Sequence, residues 1–338
     1  NAYGDPPFNT PGDFATPNEA YMAHVEAMLQ KARDRGIVVL LTPAYMGDGG
    51  GSQGWYAEMQ ANGPAKLRAF GQYLATRFRS YDNIIWVHGG DFTPPENDLM
   101  RAIAEGIRDV DTKWLHTFHG DRQTSALGFL GTSEPWLSLN DIYTDAETVT
   151  GNAFAEYNRS TMPFFLIEDE YESNTGNGHL VRLQAYQAML SGATGHLMGN
   201  DPVWYFGPGW QTYLDSYGAR TVGKMRALYE ARSWWLLQPD SGNTLLTAGA
   251  GSGSTRAVAS LASDRSFALL YTPDIRALTV SLAQLAGPHV SARWYDPANG
   301  TYTTVTGSPF TASSSRVFNP GSTNSDAESD WVLVLESV

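Results

Sequence analysis

Met162-Pro163-Phe164-Phe165-Leu166-Ile167-Glu168-Asp169-Glu170-Tyr171-Glu172 joins a short, unbroken apolar run to four acids within five positions. An apolar run of this length after a proline predicts a strand buried on both faces, as in parallel sheets. Acids at the end of such a strand repel one another and lose hydration, so they cost stability. In a barrel of parallel strands that end carries the chemistry, which favours a catalytic role over a solvated acidic loop.

The same alternation of strand and helix extends on both sides of this stretch. Six apolar runs predict buried strands, and amphipathic segments between them predict helices. This rhythm favours an α/β fold, a (β/α)8 TIM barrel whose first two strands are absent from this chain. A doubly wound open sheet is the alternative, but no Gly-x-Gly-x-x-Gly turn supports a dinucleotide site. The predicted strands are 37–42, 83–88, 114–118, 137–143, 164–167 and 195–198, and the predicted helices are 18–35, 64–80, 98–110, 146–158, 179–190 and 220–235.

The composition changes after Pro239, where Ser, Thr, Gly and Ala dominate and helical periodicity stops. Short alternating or β-branched runs separated by turns predict a small antiparallel β-sandwich. We therefore expect a (β/α) barrel catalytic domain over 1–239 and a β-sandwich domain over 240–338. The runs that predict the sandwich are 255–260, 266–271, 278–282, 290–295 and 331–335.

Charge and composition exclude several classes of partner. The chain has 22 basic and 35 acidic residues and a formal net charge of -13, which repels nucleic acid and anionic membranes. No apolar run reaches the roughly 18 residues of a membrane-spanning helix. There is no cysteine, which excludes disulfides and thiolate metal sites. Aromatic residues make up 12% of the chain, an excess that suits both sugar stacking and large cores.

Two carboxylates follow predicted strands: Asp91 comes after Gly89-Gly90, and Glu168 comes after Ile167. Glycosidic cleavage needs such a pair, because one carboxyl group protonates the leaving oxygen while the other attacks the anomeric carbon or activates water. The glycines allow the backbone beside Asp91 to approach a ligand closely. The alternative role for Asp91 is a loop or helix-capping acid near Pro94-Pro95.

Histidines and loop aromatics are further candidates for the site. The histidines near strand ends lack the close helical spacing of a metal site, so we expect neither a metal nor a cofactor. Hydrogen bonds to sugar hydroxyls or roles in the core suit them better. No Gly-x-Ser-x-Gly elbow is placed between a strand and a helix, as a serine hydrolase requires. The histidines are His88, His116, His119 and His196, and the aromatics that are candidates for sugar stacking are Trp55, Trp204, Tyr205, Phe206 and Trp210.

With these residues the chain resembles the apiosidase-like family of (β/α)8 glycoside hydrolases, followed by a small domain named in that family for collagen binding. The most specific match is the run Asn83-Ile84-Ile85-Trp86-Val87-His88-Gly89-Gly90-Asp91. The resemblance spans nearly the whole chain and implies a retaining mechanism. It implies Asp91 as the acid/base, Glu168 as the nucleophile and Glu172 as a neighbouring contact. The other matching stretches are 1–5, 17–21, 134–136, 167–168, 171–172, 192–196 and 294–297.

The chain departs from the family pattern at three points. Relatives usually carry about two more strands before the match to residues 1–5. The acidic stretch usually reads Asp-Gly-Glu-Pro-x-Tyr-Glu, so Asp169 or Glu170 could compete with Glu168 for the role of nucleophile. Tyr143 stands where relatives often have Gln, which leaves the family's sugar specificity open.

We predict a bacterial, secreted or periplasmic retaining glycoside hydrolase that removes a side-chain sugar from a plant or microbial polysaccharide. The carboxyl groups of Asp91 and Glu168 are then expected roughly 5 Å apart, against about 6.5–9.5 Å for inversion. The alternatives are an endo-acting glycanase of the same fold and a non-catalytic carbohydrate-binding protein. We expect the C-terminal domain to pack on the barrel rather than to bind a protein such as collagen. The predicted sugar contacts are Tyr3, His88, His119, Asn140, Tyr143, Glu172, Asn200 and Trp204.

Overall fold

The computed structural model describes residues 1–338 apart from the side chain of Thr175. It divides into two compact units, which comprise residues 1–143 and 144–338. This division falls within the stretch that the sequence assigns to the catalytic domain.

The first unit alternates helices with parallel strands. Strand β2 lies between β1 and β3, with Leu40 paired to Ile85 and Val87 paired to Thr117. The three strands therefore end at the same edge of the sheet. The helices are α1 (Glu19–Arg33), α2 (Tyr56–Arg77), α3 (Asp98–Val110) and α4 (Ala126–Leu130), and the strands are β1 (Val39–Leu41), β2 (Ile84–Gly89), β3 (Leu115–His119) and β4 (Asn140–Tyr143).

Local sequence signals define several of these elements. Asn18 caps α1, because its side-chain oxygen accepts a hydrogen bond from the backbone N–H of Ala20. Gly63 has a positive φ inside α2, so the predicted helix start at Pro64 marks the second of two consecutive helical pieces. In β2, the indole of Trp86 is fully buried and packs edge-on against Trp114, with ring centroids 5.9 Å apart.

The N-terminal part of the second unit contains helices and the buried strand β5. Strand β5 is apolar until its last residue, Glu168, as its sequence predicts. The predicted strand over 195–198 is wrong, because that segment forms only one parallel bridge, between His196 and Leu166. The flanking glycines of so short a segment specify a strand weakly. The elements are α5 (Val149–Arg159), β5 (Phe164–Glu168), α6 (Glu172–Thr175), α7 (Gly178–Leu190), α8 (Asp201–Trp204), α9 (Trp210–Tyr213) and α10 (Tyr217–Glu230).

Two antiparallel sheets complete the second unit, as predicted for its C-terminal region. The larger sheet has the order β12-β11-β15-β9-β8-β6, with β13 also paired to β11, and the smaller has the order β14-β10-β7. The strands are β6 (Leu237–Pro239), β7 (Leu246–Ala248), β8 (Val258–Ala262), β9 (Phe267–Thr272), β10 (Leu278–Ser281), β11 (His289–Tyr295), β12 (Tyr302–Thr304), β13 (Phe310–Thr311), β14 (Ser315–Phe318) and β15 (Trp331–Ser337).

The larger sheet is buried on both faces, which explains why its central strands are apolar without alternation. In β9, Phe267 and Leu269 belong to an apolar cluster shared with helices α7 and α10. Ala268 and Leu270 point to the opposite face and belong to the core between the two sheets. The C-terminal strands therefore form one core with the helices that follow β5. No helix in the described part of the chain is both long and apolar enough to span a membrane.

Candidate active site

The backbone that presents Asp91 is held in an unusual conformation at the end of β2. Gly89, Gly90 and Asp91 have φ values of 90°, 118° and 49°. A Cβ atom on Gly90 would lie 2.2 Å from the ring of Tyr45, so only glycine fits there. A non-glycine residue with positive φ is uncommon and is typical of functional sites in which the surroundings impose the strain.

Contacts with Tyr45 and Gly49 help to hold Asp91 in this conformation. The phenol of Tyr45 donates to Oδ2 of Asp91 over 3.4 Å, and the backbone N–H of Gly49 donates to its carbonyl oxygen over 3.0 Å. Sequence reasoning did not select Tyr45. Its position four residues after the apolar end of β1 is the signal that could have identified it.

The histidines of β2 and β3 form a pair below the strand ends. Nε2 of His88 lies 3.0 Å from Nδ1 of His116, and the two rings stack with an interplanar angle of 6°. Burial lowers the pKa of His88 well below its ordinary value, with a smaller contribution from His116. Burial also lowers the pKa of His116 to about 3, so both rings are neutral at physiological pH. His88 is only 1% exposed, so it supports the strand end from the core rather than presenting an atom to a ligand.

The predicted contacts in β4, Asn140 and Tyr143, are also buried. Asn140 is fully buried, and its side-chain oxygen accepts a hydrogen bond from the backbone N–H of Leu127 at the start of α4. Asn140 therefore anchors a helix. Tyr143 packs against His119, with ring centroids 5.3 Å apart, and His119 is partly exposed. Tyr3 lies on an exposed loop, where its ring edge contacts His24.

Glu168 is held by a residue three positions further along the chain. The phenol of Tyr171 donates to Oε1 of Glu168 over 2.8 Å. A hydrogen bond of this kind orients a carboxylate and stabilises its charged form. Tyr171 is a second residue that sequence reasoning did not place in the site, although it belongs to the matching family motif.

The next two acids, Asp169 and Glu170, have contacts of their own. Asp169 is 1% exposed, and its Oδ2 lies 2.8 Å from Nε2 of His196. Burial raises the pKa of Asp169, and the neighbouring charge of Glu168 adds to the rise, against the opposing effect of His196. Glu170 accepts a hydrogen bond from the backbone N–H of Ala146. Neither acid lines the cavity described below, which favours Glu168 among the three candidate nucleophiles.

Glu172 closes the acidic stretch at the beginning of another helix. Its carboxylate accepts hydrogen bonds from the hydroxyl of Ser216 and from the backbone N–H of Gly218, in the first turn of α10. A carboxylate at a helix N-terminus satisfies free N–H groups and interacts favourably with the helix dipole. Glu172 is therefore a structural link between two segments in this structure.

A cavity of about 350 Å³ lies beside Glu168 within the second unit. Its polar residues include Glu168, Tyr171 and Asn200, and none of the described residues that line it is positively charged. Trp204 is 65% exposed and presents an indole at the cavity. The remaining residues of the lining are Ile167, Leu197, Met198, Gly199, Val203, Tyr213, Leu214 and Ala219.

Asn200 is an unusual buried amide in this lining. It occupies the position before α8 where Asn commonly caps a helix, but its side chain makes no capping hydrogen bond. The residue is 6% exposed, and neither amide atom has a hydrogen-bond partner within the described part of the chain. Leaving a buried amide unpaired is unfavourable, so a ligand or water that pairs with it is stabilised.

Two known structures share the fold of this protein. A glycoside hydrolase family 5 protein from Bacteroides vulgatus ATCC 8482 aligns with a TM-score of 0.86 and 22% identity, over 100% of this chain and 79% of that one. A second structure, described as a glycoside hydrolase, aligns with a TM-score of 0.86 and 20% identity, over 100% and 82% of the two chains. The fold is accordingly TIM-barrel-like, with a C-terminal antiparallel β-sheet domain. No curated protein matches the sequence.

The family follows from the sequence itself. The model of the family described as "Apiosidase-like, catalytic domain" matches residues 1–236. The model described as "Putative collagen-binding domain of a collagenase" matches residues 239–336. The first match covers well over half of the chain, so the protein is a glycoside hydrolase that belongs to the apiosidase-like family.

Proposed function

We propose that this glycoside hydrolase retains the anomeric configuration, with Glu168 as nucleophile and Asp91 as acid/base. The observation that carries the assignment is the environment of Glu168. It is the one acid of residues 168–170 that lines the cavity, and Tyr171 orients it. The strained φ of 49° at Asp91 supports a functional role for that residue.

The proposed reaction has two steps. In the first, Asp91 donates its proton to the glycosidic oxygen while an oxygen of Glu168 attacks the anomeric carbon, and the bond to the leaving group breaks. In the second, Asp91 removes a proton from water, and the water oxygen displaces Glu168 from the anomeric carbon. Both carboxyl groups regain their starting protonation states.

The substrate that we propose is a side-chain sugar of a plant or microbial polysaccharide, released by exo action outside the cytoplasm. A cavity of about 350 Å³ is at the small end of the range for ligand sites, which suits a terminal sugar. Trp204 offers a stacking surface, and the unpaired amide of Asn200 offers a donor and an acceptor for hydroxyl groups. Tyr3, His119 and Tyr143 remain proposed contacts.

An endo-acting glycanase is the second candidate. The observation in its favour is the exposed aromatic run Trp204-Tyr205-Phe206, which extends beyond the residues that line the cavity. Exposed rings beside a cavity offer stacking surfaces for further sugar units. Assays on an intact polysaccharide separate the two modes, since exo action releases single sugars whereas endo action lowers viscosity first.

The experiment that tests the proposal is a screen of aryl pentosides and hexosides, followed by proton NMR of the first-formed product. We expect hydrolysis of a narrow set of neutral glycosides, with the product initially in the configuration of the substrate. An initially inverted product would rule out Glu168 as a covalent nucleophile, because retention needs two displacements at the anomeric carbon.

A further inference from the structure

A fully buried ion pair joins helix α7 to the segment before β15. Arg182 and Asp330 are each 0% exposed. Nε and Nη2 of Arg182 donate to the two carboxylate oxygens of Asp330 over 2.8 and 2.7 Å. This two-bond arrangement fixes the orientation of both side chains as well as their separation.

The remaining contacts of Asp330 come from the C-terminal β region and from α7. The phenol of Tyr271, in β9, donates to Oδ2 over 3.0 Å, and the amide of Asn324 donates to Oδ1 over 2.8 Å. Nε2 of His179 lies 3.4 Å from Oδ1. Burial alone would raise the pKa of Asp330, but His179 and Arg182 outweigh it, so the pKa lies below its ordinary value. The carboxylate is therefore charged at neutral pH.

Stability alone is a poor explanation for this pair. Removing two charges from water is costly, and well-packed apolar side chains often stabilise a core as well as a buried ion pair does. Around it the helices and the larger sheet already share an apolar cluster that includes Tyr186, Leu228 and Val332. The apolar cluster already holds the helices against the sheet, and the ion pair fixes their relative position.

A series of contacts connects the ion pair to the acidic stretch, residues 168–172. Nη1 of the Arg182 guanidinium donates to the phenol oxygen of Tyr217 over 2.9 Å. Tyr217 is the first residue of α10, and its two neighbours, Ser216 and Gly218, both donate to the carboxylate of Glu172. Glu172 directly follows Tyr171, whose phenol holds Glu168.

We propose that Asp330 is a positioning residue for Glu168, acting through Arg182, Tyr217 and the start of α10. The C-terminal β region is then part of the catalytic assembly rather than a separate module tethered to it. This inference rests on the proposed role of Glu168 as nucleophile.

The test uses the full chain and two matched variants that each remove one phenol from this network. Tyr217→Phe breaks the bond that leads from Arg182 to α10 and leaves the ion pair intact. Tyr271→Phe removes a donor to the same Asp330 carboxylate but lies off the path to Glu172. Activity is measured with the aryl glycoside that the wild-type protein hydrolyses fastest, and thermal unfolding is measured in parallel.

We expect Tyr217→Phe to lower kcat about tenfold with little change in KM, because a small displacement of a reacting group slows chemistry more than binding. Tyr271→Phe should lower Tm by a similar amount to Tyr217→Phe but leave kcat within about twofold of wild type. Equal kcat values for both variants, or kcat losses that follow Tm in both, would overturn the positioning role.

A third variant separates this inference from the function on which it rests. If Glu168→Gln is inactive while Tyr217→Phe behaves like wild type, the positioning role alone is wrong. If Glu168→Gln remains active, the nucleophile assignment is wrong. The proposed positioning role of Asp330 is then wrong as well.

Discussion

The ends of strands β2 and β5 present their carboxylates in two different ways. At β2 the backbone conformation positions the carboxylate, because Gly89 and Gly90 adopt positive φ values and Asp91 follows in a strained conformation. At β5 the backbone is regular, and side chains contact three of the four acids: Tyr171 contacts Glu168, His196 contacts Asp169, and Ser216 contacts Glu172. Adding a Cβ atom at a glycine should therefore disturb the position of the carboxylate in the first region. Removing a single polar atom from a neighbouring side chain should disturb it in the second region.

The largest effects are expected from the carboxylates themselves. Glu168→Gln should reduce kcat by roughly 10⁴-fold or more, because the nucleophilic oxygen is lost. Asp91→Asn should reduce it by about 10²–10⁴-fold, with the smallest loss on substrates whose leaving groups need no protonation. Glu170→Gln is the control in the same acidic stretch, and its activity should stay within a few-fold of wild type. A fully active Glu168→Gln variant would show that the second region does not supply the nucleophile.

Gly90→Ala tests the first region. The added Cβ would lie 2.2 Å from the ring of Tyr45, at a φ of 118° that alanine rarely adopts. We expect a loss of about 2–3 kcal/mol in unfolding free energy and about 100-fold in kcat. Gly36→Ala is the matched control, because Gly36 also has a positive φ, 68°, but a Cβ added there would meet no heavy atom within 4 Å beyond its chain neighbours. It should cost about 1 kcal/mol of stability and no activity.

Trp204→Ala should have an intermediate effect, confined to binding. Loss of the exposed indole at the cavity should raise KM about tenfold with kcat nearly unchanged, because stacking contributes about equally to the bound ground state and the transition state. Tyr205→Ala removes a neighbouring exposed ring that does not line the cavity. Equal KM values for these two variants on a small aryl glycoside would argue against a stacking role for Trp204.

The smallest expected effect is the pH dependence of stability that comes from Asp330, in the side-chain network behind β5. The pKa of Asp330 is lowered in the folded protein, so its charged form contributes stability that is complete above the unfolded value of about 3.9 and is lost as pH falls below it. Asp330→Asn should therefore destabilise the protein at pH 6, and the difference from wild type should shrink towards pH 3. Urea unfolding at both pH values measures this; a constant difference would mean that the charge of Asp330 does not matter.

Many helices and strands could be predicted because the spacing of their apolar residues is a strong local signal. Helix α3 has the predicted bounds, since its apolar residues recur at helical spacing, and β5 ends at the predicted acid. The segment 195–198 failed because a short, glycine-flanked run does not distinguish a strand from a single bridge. Local sequence patterns predict whether a segment is a helix or a strand. They do not predict how many strands will pair with it.

The site was less predictable because its contacts depend on tertiary structure. Position at a strand end selected Asp91 and Glu168 as candidates, but the same rule also selected His88 and Asn140, which are buried in the core. Residues that hold the acids, such as Tyr45 and Tyr171, became visible only from their hydrogen bonds. The role of Asp330 was not predictable at all, since its partner Arg182 lies 148 positions earlier in the chain.

The most direct test of the account is to trap the glycosyl-enzyme. The protein is incubated with an activated 2-deoxy-2-fluoro glycoside of the sugar it hydrolyses, and the labelled peptide is sequenced by mass spectrometry. We predict one sugar adduct per chain, on Glu168, and none on the Glu168→Gln variant. An adduct on Asp169 or Glu170, or turnover with inversion and no adduct, would contradict the assignment of Glu168 as the nucleophile.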